Sequence, residues 1–204
     1  MIRRLMVLVP VLLLPLSAAV TSTTASDAPA YTADGAMKLP LSYREWIFLS
    51  SGLDMNYNSA APVSGHSTFD NVFVNPSSYR AFLATGTWPD KTTFILELRD
   101  AAAHSSIDKR GQSQATTVNA IEAHVKDDAN IPGKWGFFEF GSDKSAKITA
   151  RPAGCYTCHE AHGAVDTTFA QFYPTLIDIA KSKKTLSPEY LKVASFPGPP
   201  PAGK

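Results

Sequence analysis

Two cysteines and a histidine near the carboxyl end have types and spacing suited to binding a metal cofactor. Cys155 and Cys158 are the only cysteines in the chain, and His159 follows directly, which gives a C-x-x-C-H pattern. On a helix, residues three and four positions apart share one face. Both thiols then reach the two vinyl groups of one porphyrin, and the adjacent imidazole faces its iron. The pattern therefore predicts one covalent haem c per chain, with His159 as the metal ligand.

Other uses of the two cysteines remain as alternatives. A thioredoxin-like redox pair is typical of a parallel βα context, which the segment upstream of the motif does not indicate. A structural zinc site built on Cys155, Cys158 and His162 would need a fourth ligand. A disulfide between the two cysteines would close a loop too short to stabilise the fold much. The adjacent histidine favours haem attachment over all three.

The second axial position of the iron decides between electron transfer and ligand binding. The four methionines, at positions 1, 6, 37 and 55, all precede the motif, which excludes the usual order of a small electron-transfer cytochrome. His162 lies on the same side of the haem as His159. His66 and His104 lie in polar stretches, and apolar neighbours place His124 on the outer face of a strand. We therefore expect five-coordinate iron with an open distal position.

The amino-terminal segment has the three-part pattern of a secretory signal peptide. Arg3 and Arg4 form a basic region, an apolar run follows, and cleavage is expected after Ala19 or Ala25. The apolar run is too short, and too rich in proline, for a membrane span. We therefore expect export to the periplasm and no membrane span once residues 1–25 are removed.

Composition and charge are those of a globular chain. The 204 residues are 44% hydrophobic and 18% charged, which excludes a disordered protein and is typical of one domain or two small ones. The formal net charge is +1, and it becomes about −1 without Arg3 and Arg4. Because there is no basic excess, nucleic acid is not expected as a partner. The Pro-rich tail, residues 195–204, is expected to be disordered.

The elements that must position the motif have mainly the two-residue period of strands. Asn75 and Pro76 predict the start of a helix, and Gly86 predicts its end. The haem motif is expected to open a carboxyl-terminal helical region, with an apolar stripe between positions 169 and 180 that Pro174 is expected to kink or restart. This order predicts the α+β class, a mainly antiparallel sheet with a few helices. Extended segments are predicted at 43–50, 72–74, 93–98, 118–125 and 135–140.

Several segments spread over residues 38–182, taken with the haem motif, match the pattern of one known family. They are Tyr43-Arg44-Glu45-Trp46, Val74-Asn75-Pro76 with Tyr79 and Phe82, Thr85-Gly86-Thr87-Trp88, Thr93 to Leu98, Trp135-Gly136-Phe137-Phe138, and Asp166, Phe169, Phe172, Tyr173 and Pro174. Together they resemble the cytochrome P-460 family, which includes the β-sheet cytochromes c′. On this resemblance we expect a haem domain over residues 38–185.

The resemblance implies a mostly antiparallel β fold, a homodimer in many members, one c-type haem, His159 as proximal ligand and an open distal pocket. Family members with a lysine cross-linked to the haem oxidise hydroxylamine, and relatives without it bind nitric oxide and similar gases. The lysine precedes a Glu-Leu pair, which is Glu97-Leu98 here, so Leu96 occupies its position. A carboxylate that family enzymes can carry nine residues before the histidine is replaced by Ala150.

These residues predict what the distal pocket binds. If Phe94, Leu96 and Leu98 face the iron, the pocket is apolar and favours small neutral diatomics, because an anion would lose its hydration without compensation. Leu96 is the expected haem contact, and Lys91, before the strand, is expected to face solvent. We therefore expect an exported mono-haem cytochrome that binds nitric oxide or a similar small ligand. The alternatives are an oxidoreductase that oxidises hydroxylamine or a related nitrogen compound, with a soluble cytochrome as redox partner, and simple periplasmic electron transfer.

Overall fold

The computed structural model describes residues 26–57, 66–104 and 106–193. The predicted signal peptide, residues 1–25, and the Pro-rich tail, residues 195–204, lie outside the described residues, so both stay predictions. Within the described parts of the chain, no helix has both the length and the apolar character needed to cross a bilayer.

An antiparallel five-stranded sheet is the centre of the fold, and the predicted α+β class is confirmed. The strands of this sheet lie side by side in chain order, so each is hydrogen-bonded to the next one along the sequence. Two further short strands, one before the sheet and one after it, pair with each other. The strands are β1 (Met37–Lys38), β2 (Ile47–Leu53), β3 (Thr68–Val74), β4 (Thr93–Ala103), β5 (Gln112–Lys126), β6 (Trp135–Phe140) and β7 (Ser145–Ala146).

Helices in the described residues follow the third and the last strand. They are α1 (Pro76–Thr85), α2 (Gly154–His162), α3 (Ile177–Lys183) and α4 (Pro188–Val193). The start and end of α1 agree with the sequence prediction, since Asn75 precedes its first residue and Gly86 ends it with a left-handed φ of 75°. The C-x-x-C-H motif lies within α2, as its spacing predicts.

Three segments differ from the sequence prediction. Residues 43–50 begin with a 3-10 turn, Tyr43–Glu45, which turns the Tyr43 side chain into the core before β2 begins. The apolar stripe between positions 169 and 180 begins with a 3-10 turn, Ala170–Phe172, and not with an α-helix. The helix α3 begins only after Pro174, which lacks a backbone donor and was expected to interrupt the stripe. Strands β4 and β5 form a longer hairpin than predicted. Residues 112–120 are polar and mostly exposed, so they lack the apolar alternation by which a strand is recognised in a sequence.

The sheet separates two buried clusters of side chains. Neighbouring residues of a strand point to opposite faces, and Phe94 and Ile95 of β4 accordingly belong to different clusters. The cluster around Ile95 includes the amino-terminal Met37 and Tyr43. The cluster around Phe94 packs against the carboxyl-terminal helices. Phe94, Leu96 and Leu98 of β4, with Glu122 and His124 of β5, therefore face α2 and its cysteines.

Candidate functional site

A cavity of about 500 Å³ is lined both by the helix-covered face of the sheet and by α2. This volume is in the range of small-molecule and cofactor pockets. Aromatic and aliphatic side chains line it together with a few polar groups. All the site residues that the sequence predicts lie on its wall, namely Cys155, Cys158, His159 and Leu96.

The helix α2 turns both cysteines toward this cavity. Cys155 and Cys158 are half-buried free thiols, so they are not joined in a disulfide. Tyr156 lies on the other side of the helix, is only 3% exposed, and donates a hydrogen bond of 2.9 Å to the carbonyl of Thr149. Its ring also meets Phe137 of β6 edge-on, with the ring centroids 4.9 Å apart. Tyr156 thus anchors α2 on the sheet and fixes the side on which the thiols lie.

His159 is held in one tautomer by the turn that follows α2. Its Nδ1 lies 2.7 Å from the backbone carbonyl of Thr167. Because a carbonyl only accepts, Nδ1 carries the proton and Nε2 keeps its lone pair. Burial lowers the pKa of His159, which favours the neutral ring. Phe169 stacks on the imidazole with its centroid 4.0 Å away. The side chain therefore presents an unprotonated Nε2 in a fixed orientation.

His124 lies inside the site, so its predicted place on the outer face of a strand is wrong. It is 8% exposed, lines the cavity and stacks on Phe137 with the ring centroids 4.1 Å apart. Its apolar neighbours Ala123 and Val125 belong to the other buried cluster. Both faces of β5 are covered here, so the alternation did not distinguish core from solvent. Burial, and then the nearby His159, lower the pKa of His124 well below its ordinary value.

Two carboxylates line the cavity, and the sequence prediction of an apolar pocket missed them. Glu122 of β5 pairs directly with Leu96 of β4, and Asp70 lies on β3. Burial, then the charges of Glu139 and Asp70, raise the pKa of Glu122. Burial, then the charge of Asp54, raise the pKa of Asp70. Glu122 lies two residues before His124 on β5 and shares its face, so the sequence could place it at the cavity only if it had placed His124 there.

The chain matches the model of the family described as Cytochrome P460 over residues 40–170, which is more than half of its length. The protein belongs to the cytochrome P460 family. Membership confirms the resemblance seen in the sequence and implies a haem cofactor. No curated protein matches the chain significantly.

The residues at the cavity of this cytochrome P460 family member fit a haem. A porphyrin bound at this site needs a neutral nitrogen donor, and His159 offers Nε2 with the opposite ring nitrogen hydrogen-bonded to a carbonyl, the arrangement usual for metal-binding histidines. The paired free thiols of Cys155 and Cys158 lie on the same wall. Phe94, Leu96 and Leu98 supply the apolar surface that a porphyrin ring packs against.

The remaining residues singled out from the sequence lie elsewhere in this family member. Lys91 is not among the residues of the cavity wall. Its side chain is 37% exposed, in line with the expectation that it faces solvent, and it forms an ion pair with the buried Asp127. His162 is exposed at the end of α2, and His104 is exposed in the β4–β5 hairpin. Ala150, where family enzymes can carry a carboxylate, is also exposed.

Proposed function

We propose that this protein is an exported c-type cytochrome with one covalent haem and an open distal position that binds nitric oxide or a similar small ligand. The observation that carries the proposal is the hydrogen bond from His159 Nδ1 to the Thr167 carbonyl, which leaves Nε2 available on the cavity side. The predicted signal peptide supports a periplasmic location. The haem, when bound, supplies an iron with one coordination position open to a ligand.

The two cysteines carry the proposed attachment. Cys155 and Cys158 stand three positions apart on α2. Each thiol would add across one vinyl group of the porphyrin, so that S–H and C=C would become a thioether and a C–H bond. Burial raises the pKa of Cys155, which favours the protonated thiol. No oxidant is required for the addition.

The wall formed by β3 and β4 supports a small neutral ligand. Val72, Leu96 and Leu98 give this part of the cavity an apolar surface. A charged ligand placed there would lose its hydration without a compensating partner. The nearby carboxylates Asp70 and Glu122 further disfavour anions by charge repulsion when they are ionised. Nitric oxide and other neutral diatomic molecules carry no charge, so they avoid both the loss of hydration and the repulsion by the carboxylates.

Oxidation of hydroxylamine or a related nitrogen compound is the second candidate function, and Glu122 favours it. Such a reaction removes protons as well as electrons, so it needs a proton acceptor within reach of the substrate. A partly buried carboxylate with a raised pKa is suited to that role. In this proposal Glu122 accepts the protons, and a soluble cytochrome receives the electrons. Simple electron transfer has no comparable support from the cavity.

Covalent attachment is tested with a double variant, Cys155→Ala with Cys158→Ala. We expect the parent protein to retain haem after denaturing gel electrophoresis and the double variant to lose it. His162→Ala, which changes an exposed histidine on the same helix, is the matched control and should retain haem. Haem that stays bound to the double variant after denaturation, or bare peptide in mass spectra of the purified parent, would refute the attachment.

Absorption spectra separate the functions. A normal c-type reduced spectrum that shifts on addition of nitric oxide supports ligand binding. A strongly red-shifted reduced Soret band would indicate a haem cross-link and favour the oxidase. A six-coordinate low-spin spectrum that does not respond to added ligands would indicate electron transfer. The oligomeric state, for which the family resemblance supports a homodimer, is measured by analytical ultracentrifugation.

A further inference from the structure

The peptide group that accepts the His159 proton is fixed from both sides. On one side, the Thr167 hydroxyl oxygen lies 3.2 Å from Nε2 of His124. On the other side, Thr168 donates its backbone N–H to the Val165 carbonyl at 3.0 Å. The Thr168 hydroxyl also accepts a 2.9 Å hydrogen bond from Nε1 of Trp88. A rotation of the peptide group between these two threonines therefore disturbs at least one of these contacts.

We propose that His124 is a positioning residue for the axial ligand, which it reaches through Thr167. By holding the Thr167 hydroxyl, His124 aims the Thr167 carbonyl at His159 Nδ1 and so sets the orientation of the imidazole and the donor strength of its Nε2. This inference rests on the proposed role of His159 as the iron ligand and goes beyond it, because it assigns a function to a residue of β5.

The surroundings of His124 indicate a specific role for its ring nitrogens. The ring stacks on Phe137 at an angle of 9° and lies 4.5 Å from the Trp135 ring, centroid to centroid. A phenylalanine would suit these aromatic neighbours as well, whereas a buried imidazole is costly unless it is hydrogen-bonded. The contact with Thr167 offsets that cost. Nε2 of His124 therefore binds the turn that contains the Thr167 carbonyl.

The end of α2 is packed closely against the same turn. A side chain at Gly163 would place its Cβ 2.8 Å from the carbonyl oxygen of His159 and 2.8 Å from the carbonyl carbon of Thr167. The backbones of the helix and the turn are thus nearly in contact. A displacement of the Thr167 carbonyl therefore changes its distance to His159 Nδ1, which is 2.7 Å here.

The strength of the Nδ1 hydrogen bond is expressed at the metal. A strong acceptor at Nδ1 raises the basicity of Nε2 and strengthens its bond to the metal. A stronger donor also favours the oxidised metal, since axial ligation is one of the ways in which a protein sets a haem potential. Loosening Thr167 should therefore lower the iron–histidine stretching frequency and raise the reduction potential.

A matched pair of variants at Thr167 tests the inference in the complete haem-loaded protein. Thr167→Val removes the hydroxyl but keeps the backbone carbonyl and nearly the same volume, whereas Thr167→Ser keeps the hydroxyl. Resonance Raman spectra of the reduced protein should show a lower iron–histidine frequency for the valine variant and the parent frequency for the serine variant. Potentiometric titration should show a higher midpoint potential for the valine variant alone.

His124→Phe completes the test, because it keeps the aromatic stack and removes the hydrogen bond. We expect the same direction of shift as for Thr167→Val, and no further shift when the two changes are combined. Additive shifts would show that His124 acts independently of Thr167 and would overturn the inference. If His124→Phe does not fold, the valine and serine variants decide the question alone.

The outcomes separate this inference from the proposed function. A parent protein with covalent haem and a normal iron–histidine band, with that band unchanged in Thr167→Val, overturns the inference and leaves the proposed function standing. A parent protein that lacks covalent haem, or whose haem shows no iron–histidine band, overturns the proposed function itself.

Discussion

Leu96 and Glu122 are direct partners across β4 and β5, and both line the cavity. Side chains paired in this way stand about 5 Å apart at their Cβ atoms. On the family resemblance, Leu96 is the position expected for the cross-linking lysine of the oxidising members, and the structure places a carboxylate next to it. In the proposed function, an apolar residue at this position favours ligand binding, and the neighbouring carboxylate favours oxidation.

Replacement of Glu122 by Gln should stabilise the protein at alkaline pH. Burial, then Glu139 and Asp70, raise the pKa of Glu122 in the folded state. Below the ordinary pKa of about 4.3 the carboxyl is protonated in both the folded and the unfolded state, so it carries no penalty. As the pH rises through the folded-state pKa, the buried charge costs stability. The free energy of unfolding, measured in urea, should be higher for Glu122→Gln than for the parent at pH 8 and equal for the two proteins near pH 4.

The exposed Glu189→Gln is the control for this measurement and should match the parent at both pH values. A glutamine variant at position 122 that is less stable than the parent at pH 8 would contradict the expectation. It would mean that the Glu122 carboxylate has favourable partners that outweigh its burial.

Replacement of Asp127 by Asn should lower the free energy of unfolding at neutral pH, and this loss should shrink in acid. Burial raises the pKa of Asp127, but hydrogen bonds from Asn130, Lys91 and Tyr31 outweigh it and lower the pKa to about 2. A shift of this size contributes about 2–3 kcal/mol above the ordinary aspartate pKa of about 3.9, and the contribution disappears as the pH falls toward 2. Asp127→Asn should therefore be less stable at pH 7, with the difference shrinking between about pH 4 and pH 2.

The exposed neighbour Asp128 provides the matched control for this change. Its carboxylate is 3.7 Å from Lys134, and both side chains are largely solvated, so Asp128→Asn should change the unfolding free energy by less than about 0.5 kcal/mol. Equal acid-unfolding midpoints for the parent and Asp127→Asn would show that the hydrogen bonds to the Asp127 carboxylate do not stabilise the folded state.

Local patterns were enough to locate most of the elements and the haem motif. The alternation from Phe94 to Leu98 gave the start of β4, and the aromatic run from Trp135 gave β6. Asn75-Pro76 and Gly86 gave both ends of α1. The C-x-x-C-H spacing gave the helical segment that α2 forms. In each case neighbouring residues contain the signal, because strand period, capping and helix spacing are local properties.

The parts of the site that depend on strand register could not be predicted in this way. Nothing near Glu122 in the sequence says that it stands opposite Leu96, since register is set by pairing along the whole hairpin. His124 was misplaced because α2, thirty residues later, covers its face of β5. The role of the Thr167 carbonyl could not be predicted either, because its partner, His159, belongs to the separate helix α2.

Removal of the Tyr43 hydroxyl should destabilise the face of the sheet opposite the cavity. Glu97 is 2% exposed and accepts hydrogen bonds from Tyr43, Arg44 and Arg99. Burial raises the pKa of Glu97, but these donors outweigh it and the pKa is lowered. Tyr43→Phe should therefore cost about 1.5–3 kcal/mol at pH 7, the usual contribution of a hydrogen bond to a charged group.

The pH dependence identifies the charge as the cause. A lowered folded-state pKa stabilises the protein above the ordinary glutamate pKa, and this contribution disappears as the pH falls through the lowered value. The loss in Tyr43→Phe should accordingly be smaller in acid, measured by urea unfolding. Tyr79→Phe, on the half-buried side of α1, is the control and should change stability little. A loss in Tyr43→Phe that does not vary with pH would indicate a packing effect.

Addition of one methyl group at Gly163 should destabilise the protein by about 1–3 kcal/mol, the usual cost of overpacking. Gly163 has an ordinary φ of −64°, so alanine can adopt its backbone conformation. The cost comes from two backbone contacts of the added Cβ at 2.8 Å each, one with the His159 carbonyl oxygen in the last turn of α2 and one with the Thr167 carbonyl carbon in the turn that follows. Both are backbone atoms, so neither can rotate away as a flexible side chain would. Gly141→Ala is the control, because nothing lies within 4 Å of the added atom there. Equal urea midpoints for Gly163→Ala and Gly141→Ala would show that the turn shifts at little cost. The Thr167 carbonyl, which is hydrogen-bonded to His159, would then not be rigidly held.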